Sequence, residues 1–183
     1  GKNTNLFRVL ILNKRCVVTQ ENALDESLSV LENMLLYAAF QGVGKKERLS
    51  VVEKLLQYME LGEKKNDKIQ FLSGGMKRRL VFVRALIGTP KLLMLDEPTT
   101  GLDPGIRHLL WDRVNQLKKQ GMTILLTTHY MHEAEALSDR VAIMNRGKIL
   151  TVAPPQELVA KHQAKNLEEV FLKLTGEALV PNE

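Results

Sequence analysis

Between Leu72 and Pro104 the chain reads LSGGMKRRLVFVRALIGTPKLLMLDEPTTGLDP, and no other stretch narrows the possible folds as far. Ser73-Gly74-Gly75 opens a basic segment predicted to be a helix over 75–88, stopped by Gly88 and Pro90. Then come the apolar run KLLMLD, the acidic pair Asp96-Glu97 and the loop Pro98–Asp103. A short apolar run without alternation suits a strand buried on both faces, as in parallel sheets covered by helices. The class is therefore α/β. The acidic pair falls at the C-terminal end of the strand, where open α/β sheets bind ligands.

Periodicity organises the rest. RCVVT (15–19) is a short β-branched strand bounded by Gln20-Glu21-Asn22, whereas residues 1–14 give no clear pattern. Ser27 or Ser29 caps a helix reaching about Gln41, with Leu31, Met34, Leu35 and Ala38 on one face. Gly42 and Gly44 end it. A second helix covers about 46–60, with Leu49, Val52, Leu55, Leu56 and Met59 at helical spacing. PGIRHLLWDRVNQLKKQG reads as an amphipathic helix, MTILLTT as a second buried strand and Met131–Leu137 as a short helix. DRVAIMNRGKILTVA reads as a hairpin turning at Asn145-Arg146-Gly147, and 155–162 and 166–174 as terminal helices. The expected divisions are 1–22, a helical part 23–89, a core 90–153 and a C-terminal part 154–183.

Composition excludes several classes. With 44% hydrophobic and 26% charged residues in 183, the chain is neither disordered nor fibrous. No apolar stretch approaches the roughly 18 residues that span a bilayer. Cys16 is the single cysteine and sits in an apolar run, so it reads as a buried strand residue in a reducing compartment. The net charge of +5 raises nucleic acid as a partner. Against this, the basic residues do not alternate with aromatics, of which there are five Phe, three Tyr and one Trp. A solvated basic surface near phosphates or a membrane partner is the better reading, with no nucleic acid.

The run 72–104 closely resembles the signature motif, Walker B strand and D-loop of ATP-binding-cassette (ABC) ATPases. LSGGMKRRL, DEPTTGLDPGIRHLLW and the terminal NLEEVFLKLTG look like the ABC-2-type exporter branch, similar to drug-resistance and nodulation-factor exporter ATPases. The resemblance implies a P-loop NTPase core with a helical subdomain, using ATP and Mg²⁺. It also implies sites for these ligands. Ser73, Gly74 and Gly75 would bind the nucleotide held by a second ATPase subunit in a head-to-tail homodimer. Asp96 would hold Mg²⁺ and Glu97 would activate water. Asp103 would cross the dimer interface. His129 would be the switch histidine at the γ-phosphate, and Gln20 of the Q-loop would contact Mg²⁺ and the water. His108, His132 and His162 read as surface or packing residues, and Trp111 as packing.

The partner implied is an ABC-2-type membrane permease subunit, with this chain peripheral at the cytoplasmic face of the cell membrane. A G-x-x-x-x-G-K-[ST] phosphate loop occurs nowhere in the chain. Gly1-Lys2 could pass for its tail, but Asn3 lacks the Mg²⁺-ligating hydroxyl and too few residues separate Lys2 from Gln20. The expectation is a chain whose N-terminal strands and phosphate loop are missing, with impaired nucleotide binding. The alternatives are a soluble ABC-family ATPase acting on ribosomes or DNA, and an inert truncated remnant.

Overall fold

A computed structural model describes residues 15–18 as backbone and residues 24–176 in full. Its described part divides into two compact units, one ending at Thr127 and the other starting at Thr128.

The first unit is built on a parallel sheet in the order β1 (Arg15–Val18), β2 (Leu92–Asp96), β3 (Thr123–Thr127). Val18 pairs with Leu95, and Asp96 with Thr127. In β2, Leu93 and Leu95 are fully buried while Leu92 and Met94 are half-buried. The expectation of a second buried strand is corrected at β3. There Thr123, Leu125 and Thr127 are exposed, alternating with half-buried Ile124 and Leu126, and Leu125 is 52% exposed. Among the described residues β3 ends the strand order, and its face carrying Thr123, Leu125 and Thr127 is open. An apolar run alone cannot report which strand ends the order.

Between β1 and β2 run α1 (Val30–Phe40), α2 (Arg48–Tyr58), two short 3₁₀ turns and α3 (Gly74–Ala85). Ser29, one of the two expected caps, starts α1 with a reciprocal capping box. Its hydroxyl accepts from the Glu32 N–H at 3.2 Å, and its own N–H donates to the Glu32 carboxylate at 2.7 Å. Asn33 is buried but satisfied. Its amide nitrogen donates to the Asp25 and Ser29 carbonyls, and its oxygen accepts from the Asp25 N–H. Met34 and Ala38 of α1, Val52 and Leu56 of α2, and Leu80, Phe82 and Val83 of α3 are fully or almost fully buried. The expected α2 face is only partly used, since Leu49 is 48% exposed.

α4 (Pro104–Lys119) returns the chain from β2 to β3 and buries Leu110, Val114 and Leu117. Tyr58 ties α2 to it, donating to the Arg113 carbonyl at 3.3 Å beneath the Arg113 guanidinium. Burial raises the Tyr58 phenol above its ordinary pKa. Surface ion pairs such as Lys65–Glu53 at 2.8 Å are each worth at most about 1 kcal/mol. Each buried Leu or Phe contributes roughly 1.5–3 kcal/mol, so the apolar core dominates.

The second unit holds α5 (Met131–Leu137), the antiparallel pair β4 (Val141–Asn145) and β5 (Lys148–Ala153), α6 (Pro155–Lys161) and α7 (Leu167–Thr175). The hairpin turns where expected. Arg146 and Gly147 have φ of 48° and 75°, the two left-handed positions of a tight hairpin turn. Ala134, Ile143, Leu158, Leu167 and Val170 form its core. Asn166 caps α7, its side chain accepting from the Glu169 N–H at 2.9 Å, and Gly176 ends it with φ 68°.

The α1 cap yields a pH-dependent prediction. Ser29→Ala is expected to cost about 1 kcal/mol at neutral pH. The Ser29 N–H and hydroxyl hold the Glu32 carboxyl below the usual glutamate range. A carboxyl lowered in the folded state contributes stability above its unfolded pKa and loses it as pH falls through the folded one. The gap between wild type and Ser29→Ala in urea unfolding should therefore narrow on acidification through that range. A gap that stays constant in stronger acid would contradict this account.

Candidate functional site

Two backbone features frame the site: the N-terminus of α3 and the end of β2. Ser73 is exposed and caps α3, its hydroxyl accepting from the Met76 N–H at 3.2 Å. That hydroxyl keeps its own hydrogen to donate. Neither Gly74 nor Gly75 has a positive φ, so the backbone does not demand glycine at either position. A Cβ on Gly74 would meet no described atom within 4 Å. One on Gly75 would rest at 3.6 Å from Ile106 and 3.9 Å from Leu102, an ordinary contact. Where the backbone conformation suits both, alanine is favoured over glycine by about 0.4–1 kcal/mol through the lower entropy of the unfolded chain. The two glycines therefore leave a bare helix N-terminus, with outward N–H groups and a partial positive charge, that the chain's own packing does not explain.

The basic residues of α3 are largely tied to neighbouring groups of the same unit. Arg78 is buried. Its Nε donates to the Pro98 carbonyl at 2.8 Å, and its Nη2 donates to the Asp96 carbonyl at 3.0 Å and to the Glu97 carbonyl. Arg79 donates to the Met59 carbonyl at 3.0 Å, Lys77 pairs with Glu26 at 3.1 Å, and Arg84 lies over the Tyr37 ring.

At the end of β2, Asp96 is exposed and its carboxylate accepts a short hydrogen bond from the Thr127 hydroxyl. The parallel register sets this contact by placing Thr127 beside Asp96. Glu97 adopts φ 48°, a left-handed conformation costing a non-glycine residue roughly 1–2 kcal/mol. Its N–H donates to the Thr127 carbonyl at 3.0 Å, and its carboxylate accepts from the Thr100 hydroxyl at 2.9 Å. Asp103 caps α4, its Oδ1 accepting from the Ile106 N–H at 3.0 Å, with Pro104 in the first turn.

His129 is exposed in the loop before α5, its ring centroid 4.1 Å from that of Tyr130. It belongs to the second unit, whereas Ser73, Gly74, Gly75, Asp96, Glu97 and Asp103 belong to the first. Gln20 lies outside the described residues. His108 and His132 are exposed, and His108 meets Trp111 edge-to-face at 5.4 Å between ring centroids.

The donor set can be tested against Mg²⁺. Among the described residues no three His, Cys, Asp or Glu side chains converge on one point. Asp96 offers a single exposed carboxylate, oriented by Thr127. That suits a small hard cation that keeps most of its waters and takes one or two protein carboxylates plus phosphate oxygens. It does not suit a cation caged by protein alone.

Sequence reading missed Arg78, Thr100 and Thr127. Thr127 was missed by one residue, because aligning the predicted strands KLLMLD and MTILLTT at their C-terminal ends sets Thr128 beside Asp96, whereas the register places Thr127 there. Arg78 gave no signal, since a basic residue on a helix is ordinarily solvated.

The family model described as ABC transporter matches residues 8–100. The Nod factor export ATP-binding protein I of Rhizobium sp. (strain N33) is 43% identical over 85% of this chain and 51% of its own length. Its counterpart in Burkholderia thailandensis is 43% identical, with the same coverage of both chains. The chain thus spans about half the length of the curated relatives it matches. Among solved structures, one titled "Structure of ATP binding subunit of ABC transporter" superposes with a TM-score of 0.77 at 28% identity. It is matched over 88% of this chain and 68% of that one. The family match, these relatives and the shared fold agree: the chain belongs to the ABC transporter family and carries the α/β fold of its ATP-binding subunits.

Proposed function

We propose that this chain is part of the ATP-binding and ATP-hydrolysing subunit of an exporter, powering transport through a separate ABC-2-type membrane subunit. One observation carries the reading: Asp96 and Glu97 leave the sheet together, each carboxylate oriented by a threonine hydroxyl. The relatives are Nod factor export ATP-binding proteins, which supports the exporter assignment. No described helix is long and apolar enough to cross a membrane. The subunit would sit at the cytoplasmic face, paired head to tail with a second copy.

In the proposed division of labour, residues 23–89 form the helical subdomain and 90–153 the catalytic core, followed by C-terminal helices. Bound ATP and Mg²⁺ supply the phosphoanhydride bond to be cleaved and neutralise its charge. Asp96 would hold the cation. Glu97 would take a proton from the attacking water, with the Thr100 hydroxyl fixing one of its carboxylate oxygens. Ser73, Gly74 and Gly75 would present donors to the nucleotide held by the second copy. Asp103 would cross between the copies, and Gln20 and His129 would orient the water and the terminal phosphate.

In the full-length polypeptide that carries this sequence, Glu97→Gln should lower ATP turnover by about 10²–10⁴-fold while leaving ATP affinity intact. Single-turnover hydrolysis and calorimetry measure the two, and unchanged turnover would remove Glu97 from the base role. Gly74→Ala should separate stability from function. It should raise folding stability by about 0.4–1 kcal/mol at most, through the lower entropy of the unfolded chain, yet lower turnover by obstructing close approach at the α3 N-terminus. A variant with normal turnover would show that nothing approaches that position.

A further inference from the structure

Glu97 can act as a base only if its side chain is aimed, and its backbone stands in a conformation that most residues avoid. Two peptide planes meet at its Cα, and their orientations define its φ and ψ. Arg78 grips both. Its Nη2 donates to the Asp96 carbonyl, on the plane before Glu97, at 3.0 Å, and also to the Glu97 carbonyl, on the plane after. Its Nε donates to the next carbonyl, Pro98, at 2.8 Å. On the other side of the loop the Glu97 N–H is held by the Thr127 carbonyl at 3.0 Å.

Arg78 as a whole residue is 6% exposed, so water competes little for these carbonyls. Hydrogen bonds from an ionised donor are about twice as strong as neutral ones. A rigid planar fork can serve three successive carbonyls in fixed directions, whereas an ammonium is a single point charge. Arg78 itself stands on α3, five residues after the Ser73 cap and on the same helix.

From this geometry we infer that Arg78 is a positioning residue for ATP hydrolysis. It sets the backbone at Glu97 from α3 and so aims the Glu97 carboxylate. The inference rests on Glu97 being the base.

The test compares Arg78→Lys in two backgrounds of the full-length polypeptide, wild type and Glu97→Gln. Steady-state kinetics give kcat and the KM for ATP, and thermal unfolding is followed in parallel. In the wild-type background kcat should fall about 10–100-fold with KM changed less than about two-fold, the pattern of a lost transition-state contribution. In the Glu97→Gln background the residual turnover should not fall further, because a residue acting through Glu97 is silent once Glu97 is disabled. An equal fall in both backgrounds, or a loss of ATP affinity matching the loss of turnover, would overturn the inference. So would full turnover in Arg78→Lys beside a disabled Glu97→Gln. Full turnover in Glu97→Gln would instead overturn the base assignment, and this inference with it. Should Arg78→Lys fail to fold, Arg78→Gln, which keeps an amide donor, serves in the same two backgrounds.

Discussion

The pairing of β2 with β3 is the constraint on which the site depends. In a parallel ladder, strands in register end together, so the C-terminal residues of β2 and β3 share one edge. There Thr127 serves twice: its hydroxyl holds the Asp96 carboxylate and its carbonyl takes the Glu97 N–H. A slip of one residue would turn Leu93 and Leu95 out of the core. The apolar burial that stabilises the sheet thus also sets the acidic pair in place. Stability and site geometry share one register.

Helix α3 is the second fixed body. Its N-terminus is bare at Gly74, its middle inserts Arg78 under the loop after β2, and Leu80, Phe82 and Val83 pack it into the core. The features that suggest phosphate recognition and those that suggest water activation therefore lie on neighbouring elements of one unit. Strain at Glu97 is tolerable because hydrogen bonds to the backbone hold it from two directions. An unusual φ persists where its surroundings over-determine it.

Much of this was legible in local sequence. The Ser29 and Ser73 caps and the Arg146-Gly147 turn depend on neighbours a few residues away, and short-range patterns report them. The strands were legible as apolar runs, but their burial was not. Among the described residues β2 is the middle strand and β3 the last, with Leu125 exposed, and neither the order nor the open face is encoded in a run of leucines. The buried state of Arg78 was hidden for a related reason, since its partners lie about 20 residues further along the chain.

By itself, the sequence determined the element types, the caps and the order of the motifs from Ser73 to Asp103, because each is written in adjacent residues. It also determined that the acidic pair ends a strand. Only the tertiary structure decided which groups hold that pair: Thr127 through strand register, Thr100 through the loop, and Arg78 through helix packing. The physical reason is one of range. Propensity and capping act over a turn or two of chain, whereas a buried guanidinium finds its carbonyls only after the core has closed around it.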